Sequence, residues 1–146
     1  MQVLGVIPAR YASSRFPGKP LQDIRGKSMI QRVYEQVQKT PAIQKVIVAT
    51  DDERIFQHVQ GFGGAVQMTS DTHRSGTDRC AEIAEREEDF DLVINIQGDE
   101  PFIQAAQIEQ VVQPLASAKN ASISTLAKMI QSQEAIHNPN TVKVVF

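Results

Sequence analysis

Short apolar runs alternate with stretches of helical periodicity along most of the chain. Runs of strand length lie at Val3 to Ile7, Lys45 to Ala49, Ala65 to Met68, Leu92 to Ile96, Ala121 to Ala127 and Thr141 to Phe146. Val46-Ile47-Val48 and Leu92-Val93-Ile94 are continuously apolar instead of alternating, which predicts strands covered on both faces. Between the runs, Met29, Ile30, Val33, Tyr34 and Val37 share one helical face, and Ile108, Val111, Val112 and Leu115 repeat the i, i+3, i+4, i+7 spacing. Strand and helix in alternation predict βαβ units, and so an α/β fold with an open, mainly parallel sheet flanked by helices.

Local signals punctuate that pattern. Thr50-Asp51-Asp52-Glu53 precedes Ile55 and Phe56 as a helix N-terminus should, with acids where the helix dipole favours them, and Gly61, Gly63 and Gly64 end that helix. A further helix is expected to begin near Gly76. The stretch Glu82 to Glu100 carries eight acids against one arginine, most of them expected on the solvated outer face of that helix. There is no internal repeat, low-complexity tract or linker, so residues 1–146 read as one domain. The chain ends within the apolar run TVKVVF, which reads as a chain cut at its carboxyl end.

Composition narrows the class. With 146 residues, 41% hydrophobic, 22% charged and a net charge of -2, the chain suits a globular core and lacks the basic stripe of a nucleic-acid binder. No apolar run approaches the roughly 20 residues of a membrane span, and MQVLGVIPAR has neither the basic start nor the cleavage site of a signal peptide. A cytoplasmic protein is expected. The single cysteine, Cys80, sits among Ala81, Ile83 and Ala84 and reads as a small buried hydrophobe.

Several familiar motifs fail. Gly26-Lys27-Ser28 is not a P-loop, because Leu21 stands where the pattern needs glycine, and Gly61-Phe62-Gly63-Gly64 has Val66 at the sixth position of a dinucleotide fingerprint. No serine lies in a G-x-S-x-G elbow, and His58, His73 and His137 are too scattered for a zinc site. His58 is expected on a helix surface.

Three stretches remain. Residues 8 to 20, PARYASSRFPGKP, hold Arg10, Arg15 and Lys19 and no carboxylate, in a loop stiffened by Pro8, Pro17 and Pro20, after the first strand. Ligands of open α/β sheets bind at the carboxyl ends of strands, so these cations suit a triphosphate better than bulk solvent. In Ile96-Gln97-Gly98-Asp99-Glu100-Pro101, an apolar strand delivers a carboxylate to the same edge. Asp99 is the candidate Mg2+ ligand, Glu100 the alternative, and a helix cap the reading without a metal. The third stretch, Thr69 to Arg79, is dense in donors and acceptors and suits either a nucleobase and sugar or a capped loop.

Together, PARYASSRFPGKPL, TSDTHRSGTDR, NIQGDEP and NPNTVKVV, in that order, resemble the 3-deoxy-manno-octulosonate cytidylyltransferases, of the nucleotide-diphospho-sugar transferase fold type. The resemblance implies that residues 1–146 are the nucleotide-binding portion of a single α/β domain. It implies the coupling of CTP to the acidic sugar 3-deoxy-D-manno-octulosonate, with release of pyrophosphate, for lipopolysaccharide synthesis. Arg10, Arg15 and Lys19 match the triphosphate-binding signature, and Asp99 matches the Mg2+-binding aspartate. The resemblance implies a cytosine and ribose pocket that draws on Ala9, His73, Arg74, Ser75, Gly76 and Gln97. A homodimer is implied for the full-length enzyme, with neither nucleic acid nor membrane as partner. Competing expectations are a cytidylyltransferase for an amino-octulosonate or a sialic acid, and a CTP-binding fragment without turnover.

Overall fold

The computed structural model describes residues 1–12, 16–118 and 120–144. Four parallel strands form the central sheet: β1 (Val3–Ala9), β4 (Lys45–Thr50), β5 (Val66–Met68) and β6 (Leu92–Asn95), in the spatial order β5-β4-β1-β6. A small antiparallel pair, β2 (Asp23–Ile24) and β3 (Lys27–Ser28), leads into α1 (Met29–Val37). The sheet register sets Gly5 between Val46 of β4 and Ile94 of β6.

Period-two alternation divides the core. Val3, Ile7 and Ala9 of β1 and Val46 and Val48 of β4 face α1, α2 (Glu53–Gly61) and α4 (Ala105–Ser117). The intervening Leu4 and Val6, with Ile47 and Ala49, face Cys80 and Ile83 of α3 (Gly76–Arg86). Connection handedness explains this partition. The chain steps from β1 to β4 to β5 in one direction and then crosses back to β6, and right-handed crossovers therefore put α1 and α2 on one face and α3 on the other.

Each helix has a local reason to begin where it does. The Ser28 side chain accepts from the Gln31 N–H at 3.2 Å, and Asp52 accepts from the Arg54 N–H at 3.0 Å. Ser75 and Asp78 close a reciprocal capping box at the start of α3. Ile30, Val33, Tyr34 and Val37 are buried on α1, as their spacing predicts. On α4, Ile108 and Val112 are buried while Val111 and Leu115 are half-buried. The helix before the glycine cluster does end there, at Gly61, with Gly63 in the left-handed region.

Four expectations are corrected. Residues 121–127 and 141–144 are irregular instead of strands, and Val145 and Phe146 lie outside the described residues. A strand needs a ladder partner, and neither segment is paired: Ile123 is 87% exposed and Val142 93%. Leu92-Val93-Ile94 forms an edge strand with Val93 exposed, so it is not covered on both faces, unlike Val46-Ile47-Val48. Finally, α3 ends at Arg86, which leaves only Glu82 and Glu85 of the eight acids on that helix. The sequence also left unmarked the β2–β3 pair, a 3-10 turn at Lys19–Leu21 and a five-residue helix, α5 (Gln133–His137).

Candidate functional site

The strand order reverses direction between β1 and β6, and in open α/β sheets the crevice outside the carboxyl ends at such a point receives the ligand. Three loops meet there around Pro8. A Cβ placed on Gly98, in the turn after β6, falls 3.1 Å from the Pro8 carbonyl oxygen, and one placed on Gly76, the first residue of α3, falls 3.1 Å from Pro8 Cγ. Hydrogen is therefore the only side chain that these approaches accept without displacement. Three motifs separated by up to 90 residues are thus drawn to one end of the sheet.

The first loop is shaped by its own backbone and one ring. The Gly18 N–H donates to the Tyr11 carbonyl at 2.9 Å, Gly18 has φ +71°, and a Cβ there falls 3.0 Å from Tyr11 Cε2. Glycine is demanded twice, by conformation and by space. The Arg54 guanidinium lies 3.3 Å from the Tyr11 ring centroid, and Asp52 grips it with bonds of 2.9 and 2.6 Å. That grip is the main reason why the Asp52 carboxyl titrates below its usual range.

Lys19 begins the 3-10 turn immediately after Gly18, with Pro20 buried beneath it. Its Nζ donates to Asp99 Oδ2 at 2.5 Å, and both side chains are about half exposed. The loop cation and the strand-end carboxylate, 80 residues apart, are therefore brought together. Arg10 is exposed at the end of β1 and reaches the Arg74 carbonyl at 3.4 Å, a long contact that joins the first loop to the third motif. Ala9 is buried in the last position of β1. Arg15 lies outside the described residues.

In the third motif, Ser75 and Gly76 start α3, and the capped-loop reading holds for Ser75 through its bond with Asp78. His73 is turned toward α3, where its Nε2 pairs closely with Glu82 Oε2. Glu82 also accepts from the Ser70 N–H at 2.9 Å and pairs with Arg86. The Ser70 N–H, followed by His73, holds the Glu82 carboxyl below its usual range. On β6 and beyond, Gln97 donates to Asn95 Oδ1 at 3.2 Å and Asn95 to Thr77 Oγ1 at 3.4 Å, a polar row on the α3 side of the strand.

One constellation had no distinctive sequence signal. Arg79, 3% exposed, donates to Asp51 Oδ2 at 2.7 Å and to Thr69 Oγ1, tying α3 to the ends of β4 and β5. An arginine beside a buried cysteine in a charged helix reads as surface. Only the fold brings Asp51 across 28 residues to neutralise it. Elsewhere, burial pushes the Cys80 thiol up to about 12, which makes it an inert core residue as expected. His58 stands exposed on α2, bonded to Ser28 Oγ at 2.7 Å.

Among the described residues no three His, Cys, Asp or Glu side chains gather as a metal cage. A half-exposed carboxylate that already holds a cation does fit a divalent ion such as Mg2+, which keeps several waters and shares its shell with phosphate oxygens. Asp99 meets that description. Glu100 lies in the following turn, its N–H donating to the Gln97 carbonyl at 3.2 Å, and borders a cavity of about 960 Å³ between β6 and α4.

A strand order that switches between β1 and β6, with a cation-bearing loop and a carboxylate at the switch, defines an open α/β protein with a candidate ligand crevice at the carboxyl end of its sheet. The family model for cytidylyltransferases matches residues 4–146, and the chain belongs to that family. It is 50% identical over 145 residues to a 3-deoxy-manno-octulosonate cytidylyltransferase of Geobacter metallireducens and 54% identical over 150 residues to that of Parabacteroides distasonis. Each match covers 99% of this chain but only 57% and 59% of those relatives, so the chain spans little more than half their length. A solved structure of CMP:2-keto-3-deoxy-manno-octonic acid synthetase complexed with CTP superposes with a TM-score of 0.79 at 48% identity, covering 82% of this chain and 49% of that one. A cytidylyltransferase from Leptospira borgpetersenii shares the fold at 22% identity, with a TM-score of 0.70.

Proposed function

We propose that this chain supplies the CTP-binding half of a 3-deoxy-D-manno-octulosonate cytidylyltransferase, which forms CMP-3-deoxy-D-manno-octulosonate and pyrophosphate for lipopolysaccharide synthesis. The observation that carries the reading is the meeting of Lys19 and Asp99 at the strand-order switch, at the end of β1 and β6. Similarity to a synthetase complexed with CTP supports the nucleotide, and the names of the curated relatives support the sugar. The enzyme is taken to be cytoplasmic and, at full length, homodimeric.

In this reading the sugar hydroxyl attacks the α-phosphorus of CTP in line, and pyrophosphate leaves. No covalent bond to the protein is required. The chain's work is to orient the triphosphate and to meet the charge that grows on the leaving group. Lys19 serves as a point charge against phosphate oxygens, while Arg10 and Arg15 offer planar forks to them. Asp99 would hold Mg2+, which when bound supplies Lewis-acid polarisation of phosphate oxygens. Ala9, His73 to Gly76 and Gln97 frame the cytosine and ribose.

Calorimetry of CTP with Mg2+ against the 146-residue chain tests this. Binding that ATP, GTP and UTP do not match is expected. Equal affinity for all four triphosphates would remove the cytidine assignment. Pyrophosphate release from CTP on addition of the sugar is expected to be absent from this chain alone, because the chain spans 57% to 59% of the relatives that are named for the activity. Sugar-dependent release would show that the acceptor site lies within these residues and overturn that part.

A further inference from the structure

We infer that the Lys19 ammonium is a stand-in for the metal ion, holding Asp99 until a triphosphate draws it away, so that metal and nucleotide bind as mutually dependent partners. The inference rests on the reading of Asp99 as metal ligand and goes beyond it in assigning Lys19 a role in the ligand-free protein. The observation is the 2.5 Å bond from Nζ to Asp99 Oδ2, which joins the cation read as a phosphate contact to the carboxylate read as the metal ligand. The same carboxylate cannot serve a divalent cation fully while an ammonium lies against it, since like charges a few ångströms apart disfavour one another.

The rest follows from charge. A lysine ammonium has three donors and no acceptor, so it must stay with some oxygen, and a triphosphate carrying about four negative charges offers better ones than a single carboxylate. Transfer of the ammonium to phosphate oxygens then frees Asp99 for the metal, which the same phosphates help to hold. By linkage, whatever nucleotide does for metal affinity, metal does for nucleotide affinity. The loop can make the exchange without refolding, because the Gly18 to Tyr11 bond and the Arg54 stack fix the backbone that precedes Lys19. The pair is about half exposed, so the effect is modest, about two- to fivefold.

The test uses the 146-residue chain and two separate probes. Mn2+ alone is titrated and counted by the loss of the free-ion spin-resonance signal, and CTP alone is titrated by calorimetry in excess EDTA. Lys19→Met is expected to bind Mn2+ about two- to fivefold more tightly than the parent, Lys19→Arg to resemble the parent, and Asp99→Asn to lose the site. In EDTA, Asp99→Asn is expected to bind CTP about two- to fivefold more tightly, because its lysine is no longer engaged. Damage to the fold lowers both affinities, so gains of opposite partners carry the argument. If Asp99→Asn abolishes Mn2+ binding while Lys19→Met leaves it unchanged, Asp99 remains the ligand and the stand-in role is overturned. If Mn2+ binds equally to the parent and Asp99→Asn, or to neither the parent nor Lys19→Met, the metal assignment itself falls and the inference with it.

Discussion

Residues 3–12 and residues 120–144 both carry apolar side chains in strand-like patterns, yet one segment becomes the centre of the sheet and the other forms no strand, its single regular element being the short helix α5. Leu4, Val6 and Ile7 are fully buried between β4 and β6, with helices on both faces. Ile123, Met129 and Val142 are at least 85% exposed and build no ladder. The apolar pattern states what a segment can do if a partner is present. It does not supply the partner. In β1, βαβ connections bring β4 and β6 alongside, whereas the free edge of β6 is bordered by a cavity lined in part by Ile94, Val111 and Leu115.

The comparison is broken most severely in the core. Ile7→Ala is expected to cost about 2–5 kcal/mol in denaturant unfolding, as buried isoleucines do, and a loss under 1 kcal/mol would show that β1 is not the keystone. Next in size is the charge at the site. Lys19→Ala is expected to weaken binding of CTP with Mg2+ by about tenfold to a hundredfold, the scale of a hydrogen bond to a charged group, with little change in the unfolding midpoint. An affinity within twofold of the parent would separate the loop from the nucleotide.

A smaller effect is expected from acid. Asp52, gripped by Arg54, and Glu82, held first by the Ser70 N–H, both titrate below their ordinary ranges in the folded chain. Each therefore binds protons more readily when unfolded. Their contribution is fully present above roughly pH 5 and is lost as pH falls through the folded values. Glu82→Gln should flatten the fall in stability between about pH 5 and pH 3, and unfolding curves that overlay the parent's across that window would deny Glu82 the role. The smallest effect belongs to the irregular segment: Ile123→Ser should change the unfolding free energy by no more than about 0.5 kcal/mol while reducing self-association in sedimentation. A stability loss comparable with that of Ile7→Ala would mean that residues 120–144 are packed in solution.

How much was legible follows the same division. The four sheet strands and α1 to α4 stand out in the sequence because their signals are local: apolar runs, the spacing of Ile30, Val33 and Val37, the caps at Asp52 and Ser75. Lys19 and Asp99 were legible through their placement after strands, since topology then dictates that they share an edge. Arg79 with Asp51, and Arg54 upon Tyr11, were not, because a cation looks alike on a surface and in a buried bridge until its partner's position is known. The strands expected over residues 121–127 and, as far as the chain is described, 141–144 failed for the complementary reason: their pattern is local, but pairing is not.

The ring of Tyr11, close against Gly18 and stacked by Arg54, separates shape from charge in the first loop. Its fold is written in a backbone bond, a left-handed glycine and an aromatic stack, none of which involves Arg10 or the Lys19 ammonium. Those cations can be exchanged for neutral or differently shaped residues while the scaffold that aims them persists. A titration of variants at Arg10 and Lys19 thereby measures electrostatics at fixed geometry.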